Sequence, residues 1–267
     1  MLRDITIGQY FPGNSVVHRM DPRFKIVMTL LFIVMLFLGE HLYSLGYGLV
    51  YCLIALLLSR IPVKMIWKSV RPLLPILLIT AALDMFFLDD GTVYFHWHFL
   101  KITSDGVNTA VLMVVRIIVL LVGSSLLTYT TSPIALTDAI ERLLAPLKRL
   151  HVPVHAFAMM MTIALRFIPT LLEETDRIMT AQKARGASFS EGSMLQRAKA
   201  LVPIFVPLFV SSFRRAEELA TAMECRCYRG DEGRTKMRQL HAAGRDYAAM
   251  TVTLVFLAAA VAMKIIW

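Results

Sequence analysis

The fold class is decided by residues 107–129, which read VNTAVLMVVRIIVLLVGSSLLTY. This run carries one charged side chain, Arg116, and it has the length of about twenty residues that a helix needs to cross the hydrocarbon core of a bilayer. An α-helix is favoured there because lipid offers no hydrogen-bond partners and a helix satisfies its backbone internally. The sequence therefore predicts a transmembrane helix.

The composition extends this prediction to the whole chain. Of its 267 residues, 57% are hydrophobic and 18% are charged, whereas a soluble domain is about half apolar and about a quarter charged. Four further apolar runs stand out in the sequence, at residues 24–38, 43–58, 73–88 and 247–267. We therefore predict an all-α polytopic membrane protein with about five transmembrane helices.

The charge distribution predicts the orientation. The formal net charge of +9 favours basic cytoplasmic loops over nucleic-acid binding in a membrane protein. The segment before the first run is basic, and the loop after the second run contains Arg60, Lys64, Lys68 and Arg71. The loop after the third run is acidic, with Asp89, Asp90 and Asp105. This asymmetry predicts a cytoplasmic N-terminus.

The region 131–246 contains two more apolar stretches, at residues 156–172 and 200–213. Read as a transmembrane hairpin, they would export a loop that contains Arg177, Lys183, Arg185, Arg197 and Lys199, against the usual charge rule. The second stretch is also short and contains two prolines. We therefore predict a cytoplasmic helical domain over 131–246, between four spans in 1–130 and a last span in 247–267. Whether the two stretches enter the membrane stays open.

Local signals predict three helices in this domain. Ser132 and Pro133 suit the cap and first position of a helix. A second helix is expected from about residue 154 to 183, with Gly186 as a stop signal. A third is expected from about residue 194 to 225, closed by Gly230.

The second and third helices end in matched tracts, Ala184-Arg185-Gly186 and Cys225-Arg226-Cys227. An arginine presents a planar, permanently charged fork that binds carboxylates through two hydrogen bonds. One basic residue at a helix C-terminus needs no partner, because it complements the helix dipole. Two such ends favour docking onto partner proteins, and acidic grooves on a pair of ATPase subunits are natural receivers.

Elsewhere the sequence offers little chemistry. Asp84 is a candidate partner for Arg116 in an intramembrane ion pair, which is more often structural than a transport site. No phosphate loop, zinc helix or nucleophile elbow is present in the sequence. Cys225 and Cys227 lack a full set of metal ligands even with His241, so no metal site is predicted. Two alternatives remain. One is a membrane-embedded enzyme acting on a lipid-linked substrate. The other is a self-contained secondary transporter, which is disfavoured because the sequence shows no repeated membrane half.

Taken together, these motifs resemble the energy-coupling factor (ECF) transporter T component, the EcfT family. The resemblance covers nearly the whole chain. The second arginine tract departs from the family, which often has Ala and Gly where Cys225 and Cys227 stand. The likeness rests on the two arginine tracts and on an N-terminal signature of Tyr10, Pro12, Gly13, Ser15, His18, Asp21-Pro22-Arg23 and Lys25.

The resemblance implies a non-catalytic subunit in a prokaryotic plasma membrane, with five transmembrane helices and a cytoplasmic coupling domain of long helices. The motif arginines would dock two ABC-type ATPase subunits, which hold ATP and Mg²⁺, while this chain binds no cofactor. A separate membrane subunit would capture a vitamin or metal ion. The chain would relay ATP-driven motion to that subunit, so substrate choice would lie in another polypeptide.

Overall fold

The computed structural model describes residues 10–39, 42–87, 93–97, 100–187, 189, 193–230 and 239–266. The chain divides into two compact units. One, here called the bundle unit, comprises Gly8–Ala139 and Leu240–Trp267. The other, here called the paired-helix unit, contains Ile140–Gln239. Over the described residues, the second unit therefore interrupts the sequence of the first.

Helices account for most of the regular structure in the described residues. Two 3₁₀ turns, at Arg71–Leu73 and Ala145–Leu150, join neighbouring helices. In chain order the other elements are α1 (Pro22–Leu38), α2 (Leu42–Ser59), α3 (Val63–Val70), α4 (Leu74–Phe87), β1 (Val93–Trp97), β2 (Leu100–Thr103), α5 (Ser104–Thr130), α6 (Pro133–Leu143), α7 (Val154–Ala184), α8 (Met194–Cys225) and α9 (Gly244–Ile266).

Side-chain caps fix the starts of several helices. The Asp21 carboxylate accepts a hydrogen bond from the backbone N–H of Arg23 at the start of α1, and Thr103 caps α5 in the same way. Ser193 and Gln196 form a reciprocal capping box at the start of α8. The predicted start of α6 is confirmed, since Ser132 accepts from the N–H of Ala135, 3.3 Å away.

The core of the bundle unit lies among α1, α2, α5 and α9. A second cluster packs α3 and the loop before it against the C-terminal part of α5. Across the core, the hydroxyl groups of Tyr51 and Thr253 are hydrogen-bonded at 2.9 Å, which satisfies both polar groups in an apolar setting. The main cluster consists of Phe32, Met35, Leu36, Cys52, Val119 and Ala260.

The predicted class, an all-α polytopic membrane protein, is confirmed. Five helical stretches in the described residues are long and apolar enough to cross a bilayer. Three of the five match predicted spans. The other two are α7 and α8, whereas the predicted spans α1 and α2 are too short to be among the five. The cytoplasmic assignment of 131–246 therefore stays a prediction. The five are Val63–Phe86, Ser104–Thr130, Val154–Ala184, Met194–Cys225 and Gly244–Ile265.

A short antiparallel β-hairpin, which the sequence analysis did not predict, lies between α4 and α5. In its register Val93 pairs with Thr103 and Trp97 pairs with Leu100. The acidic residues Asp89 and Asp90, expected in this connection, lie outside the described residues. The hairpin leads directly into the Thr103 cap of α5, and so fixes where that helix begins.

Candidate partner-docking site

The two long helices of the paired-helix unit run antiparallel. Along α7 the residue numbers rise while those of the contacting residues on and just after α8 fall. The two arginine-bearing ends therefore lie at opposite ends of the pair. Three side-chain hydrogen bonds show this: Tyr228 to the sulfur of Met159 at 2.9 Å, Arg215 to Glu174 at 3.2 Å, and Gln182 to the carbonyl of Pro203 at 3.4 Å.

The C-terminal end of α7 is closed by the backbone. The N–H of Gly186 donates to the carbonyl of Lys183 at 3.0 Å, and the N–H of Ala187 donates to the carbonyl of Gln182 at 3.0 Å. Gly186 has a φ of +87°, the left-handed conformation that this Schellman arrangement requires. Arg185 occupies the capping position, and its side chain takes no part in the closure.

The C-terminal end of α8 repeats this geometry. The N–H of Cys227 donates to the carbonyl of Glu224 at 2.8 Å, and the N–H of Tyr228 donates to the carbonyl of Met223 at 3.0 Å. Arg226 is the capping residue. Cys227 has a φ of +54°, which is unfavourable for a residue with a side chain. The departure from glycine in the second tract therefore carries a conformational cost.

Both arginine side chains are exposed to solvent. Within the described residues neither Arg185 nor Arg226 forms a side-chain hydrogen bond or an ion pair. Their small neighbours leave room, and no atom lies within 4 Å of the position a Cβ would take at Gly186. The adjacent Cys225 and Cys227 are exposed free thiols. Each tip can therefore present its guanidinium to a carboxylate on another protein.

The tips are far apart. Tyr228, just past Arg226, contacts Met159 near the start of α7, so the two tips are separated by roughly the length of helix from Met159 to Arg185, about 40 Å at 1.5 Å of rise per residue. One small partner cannot contact both. The arrangement suits two partners, or a dimer with one acidic groove on each subunit.

The paired helices bury little of their apolar surface within the described structure. Val154 and Ala158 of α7 and Ile204 of α8 are buried. An exposed apolar surface of this extent marks contact with protein or lipid. On α8 it consists of Leu201, Val202, Phe205, Val206, Phe209, Val210 and Phe213, and on α7 it includes Phe157, Met160, Met161 and Ile168.

The predicted ion pair between Asp84 and Arg116 is not formed. The Nη2 group of Arg116 instead donates to the carbonyl of Gly39, the residue that ends α1. No salt bridge joins the two side chains, both of which the structure describes as half-buried. The reason is local: a carbonyl at a helix end has no partner within the helix, and Arg116 satisfies it.

The charged residues of the N-terminal signature have structural roles that were not predicted from the sequence. Asp246, with 1% of its surface exposed, accepts hydrogen bonds from the backbone N–H groups of Asp21 at 3.1 Å and Ala243 at 2.8 Å. Arg23 forms an ion pair with Asp21 at 2.6 Å and donates to the carbonyl of Leu240 at 3.2 Å. These contacts tie the start of α1 to the start of α9.

Lys25 ties the start of α1 to the end of α5. Its ammonium group donates to the carbonyl of Thr130 at 2.9 Å, to the hydroxyl of Thr131 at 3.2 Å and to the carbonyl of His18 at 3.3 Å. We call Asp21, Arg23, Lys25 and Asp246 the basic clamp. The signal in the sequence was a set of charged residues at the start of an apolar run, with an Asp-Pro cap among them.

His18 anchors the loop before α1. Its Nε2 lies 3.0 Å from the carbonyl of Phe11, and its Nδ1 lies 2.7 Å from the hydroxyl of Ser15. Because a carbonyl only accepts, Nε2 carries the proton of the neutral ring. Burial lowers the pKa of His18, as does the charge of Lys25, while the Phe11 carbonyl raises it. A Cβ at Gly13 would lie 2.9 Å from this ring, so glycine permits the close packing.

Several membrane-crossing helices and a helix pair with two open cationic ends define a multi-pass membrane component of a larger assembly. Comparison with known proteins gives the family. Residues 13–237 match the CbiQ family, described as cobalt transport protein. The chain belongs to this family, and within it to the transmembrane (T) components of energy-coupling factor transporters, as its relatives show.

Three relatives illustrate the match, each named energy-coupling factor transporter transmembrane protein EcfT. The protein of Ruminiclostridium cellulolyticum is 51% identical over 267 residues, covering 100% of both chains. That of Acidaminococcus fermentans is 54% identical over 240 residues, covering 90% of this chain and 89% of its own. That of Bacillus subtilis is 44% identical over 259 residues, covering 97% of each. The resemblance predicted from the sequence is confirmed.

Proposed function

We propose that this chain is the non-catalytic coupling subunit of an ECF-type ABC importer. In this proposal Arg185 and Arg226 each dock one ATPase subunit, and ATP and Mg²⁺ bind to those subunits alone. The chain relays the ATP-driven motion to a membrane subunit that captures a vitamin or metal ion. The observation that carries the proposal is the pair of identically capped, exposed arginine tips at opposite ends of α7 and α8.

The identical caps support a common role for the two tips. In each, the backbone closes the helix end and leaves the guanidinium unused. A surface cation without partners gains little by being held in one place, so two such groups in matched geometry are better explained by partners. Carboxylates on the ATPase subunits would pair with them through two hydrogen bonds each.

The length of the helices supports the relay. A helix keeps its backbone bonds when it is displaced, so movement at one tip moves side chains along the whole helix. The exposed Phe205, Phe209 and Phe213 lie four residues apart and so follow one face of α8. In this proposal the apolar surface contacts the substrate-binding subunit and the surrounding lipid.

The alternative of a membrane-embedded enzyme rested on Asp84, Arg116 and the acidic outer loop. Arg116 donates to the Gly39 carbonyl, and the chain belongs to a family of transporter components. No observation on the described residues favours this alternative over coupling.

Charge reversal at both tips tests the docking. The double variant Arg185→Glu and Arg226→Glu should lose the ATPase subunits when the tagged chain is purified from cells that express the whole complex. Carboxylates facing carboxylates repel, whereas the fold is unaffected because neither side chain is used in it.

Arg214→Glu is the matched control. Arg214 is exposed on α8 and, in the described residues, makes no hydrogen bond or ion pair. It makes, away from the tips, the charge change that each single tip substitution makes, and it should co-purify as the unaltered chain does. Retention of both ATPase subunits by the double variant rejects the docking role.

A further inference from the structure

The bundle unit contains a cavity of about 420 Å³ between α1, α2, α5 and α9. Its deep end is formed by buried apolar side chains, among them Phe32, Cys52 and Leu126. Its size lies in the range of ligand cavities, about 300–1,000 Å³. A core cavity of this volume is far larger than the voids between well-packed side chains.

The cavity opens to the outside between α2 and α9. The lining residues Leu58 of α2 and Val252 of α9 are 50% and 48% exposed. The two helices meet where Tyr51 bonds to Thr253 and packs against Phe256. The opening lies beyond this contact, on the side of the start of α9. In a multi-pass membrane protein, an exposed apolar rim of this kind suits contact with hydrocarbon.

The open end of the cavity carries a cation. Arg245 lines it and is exposed. In the part of the chain that the structure describes, Arg245 forms neither a side-chain hydrogen bond nor an ion pair. The other basic residue in the lining, Lys25, is buried and donates to three oxygen atoms of the chain.

The local charge balance leaves Arg245 uncompensated. Asp21 is paired with Arg23 at 2.6 Å. Asp246 is directed at the backbone N–H groups of Asp21 and Ala243 and lies in the same buried cluster as Lys25. The carboxylates of Asp21 and Asp246 thus balance the half-buried Arg23 and the buried Lys25. Among these five groups, Arg245 remains as the net positive charge at the mouth of an apolar cleft.

We propose that this cavity binds one acyl chain of an anionic phospholipid, with the lipid phosphate on Arg245. The apolar walls recognise the chain by burial, and the guanidinium recognises the phosphate through paired hydrogen bonds. An anionic membrane lipid supplies both features in one molecule and is present at high concentration around the protein. The site does not depend on docking of the ATPases by Arg185 and Arg226.

Photocrosslinking in nanodiscs tests this site. The assembled complex is placed in phosphatidylcholine nanodiscs that contain a small fraction of phosphatidylglycerol carrying a photoreactive group in mid-chain. Irradiation and peptide mapping should place crosslinks on α2 from residue 52 to 58 and on α9 from residue 248 to 256. The same probe with a phosphatidylcholine headgroup should label these peptides at least fivefold less.

Two variants test recognition of the lipid headgroup and of the acyl chain separately. Arg245→Gln should remove the preference for phosphatidylglycerol while leaving labelling of the peptides by both probes. Ala249→Leu fills the cavity from α9, where Ala249 is a lining residue, and should cut labelling by both probes at least fivefold. Ala258→Leu is the matched control, because Ala258 lies on an exposed part of α9 outside the cavity lining, and labelling should be unchanged.

Each outcome decides the proposal. Equal labelling of the unaltered chain by both probes overturns it, as does full labelling of Ala249→Leu or crosslinks confined to α7 and α8. Protection of the cavity by another protein subunit, seen as labelling only after that subunit is removed, also overturns it. Assembly of every variant is checked by size-exclusion chromatography, and Arg245→Gln, a surface change, keeps the test valid if Ala249→Leu does not assemble.

Discussion

The basic clamp and the two arginine tips use the same kind of side chain in opposite ways. Arg23 and Lys25 are bonded to oxygen atoms from three other parts of the chain. The side chains of Arg185 and Arg226 are exposed and form no hydrogen bond or ion pair with a described residue. The difference teaches that a basic side chain in this protein stabilises the fold where its hydrogen-bond donors have acceptors within the chain. Where they have none, the side chain is available to bind a partner.

The largest effect should come from breaking the clamp at its buried carboxylate. Asp246→Ala leaves two backbone N–H groups without acceptors and removes a charge that balances the clamp cations. We expect a loss of about 3 kcal/mol of stability, seen as a fall of about 5–10 °C in the apparent unfolding midpoint in detergent. The exposed Asp105→Ala should cost under about 1 kcal/mol. Similar shifts for both variants would mean that the clamp does not hold the bundle.

If the tips dock the ATPase subunits as proposed, substitutions there should weaken binding of those subunits and leave the stability of the chain unchanged. Arg185→Ala and Arg226→Ala should each weaken binding of the purified ATPase subunits by about 2 kcal/mol, or roughly thirtyfold in Kd. Lysine at either position should fall between, because it keeps the charge but loses the fork. The unfolding midpoint should stay unchanged, and a fall as large as that of Asp246→Ala would show that the tips serve the fold. Titration of the chain in nanodiscs measures the binding.

A smaller effect should distinguish the two tips from each other. Gly186→Ala places a Cβ at a φ of +87° and should cost about 1 kcal/mol. Cys227→Gly relieves a φ of +54° and should stabilise by about 0.5 kcal/mol, since part of the gain is offset by the flexibility of glycine in the unfolded chain. Unfolding midpoints measure both, and shifts of the same sign would contradict the shared cap geometry.

The smallest effect should be a pH dependence at the loop before α1. The pKa of His18 is lowered in the folded chain from its usual 6.5, so the unfolded chain binds this proton more readily. Its contribution to stability is therefore complete above about pH 7 and is lost as the pH falls through 6.5 and below. His18→Gln should reduce the change of the unfolding midpoint with pH between pH 7.5 and pH 5.5. An unchanged slope would assign the dependence to other groups.

The parts of the fold that could be predicted from the sequence are those fixed by neighbouring residues. The start of α6 and the starts and ends of α7 and α8 follow from Ser132, Pro133, Gly186 and the apolar spacing, and the structure places them within a residue or two of the prediction. The cap geometry of Arg185 is equally local. Helix ends depend on a few residues in sequence, so sequence reasoning reaches them.

The contacts that sequence reasoning missed join residues far apart. The backbone of Asp21 bonds to Asp246, 225 positions away, and Lys25 bonds to Thr130, 105 positions away. The pairing of Arg116 depends on the rotation of α5 about its axis, which apolar spacing alone does not determine in a helix that is hydrophobic on all sides. The charged residues could be found in the sequence, but not their partners.

The contacts of α1 also bear on how the gene for such a protein can be rebuilt. Thr130 and Thr131, at the end of α5, and Leu240, just before α9, all bond to Arg23 or Lys25, two residues apart. The end of α5 and the start of α9 are therefore close neighbours, as are the ends of a domain that accepts an insertion. Between them the chain continues through α6 to Ala139 before it enters the paired-helix unit. A linker of about ten flexible residues would join the two neighbouring points, so a shortened gene should encode the bundle helices without α6, α7 and α8.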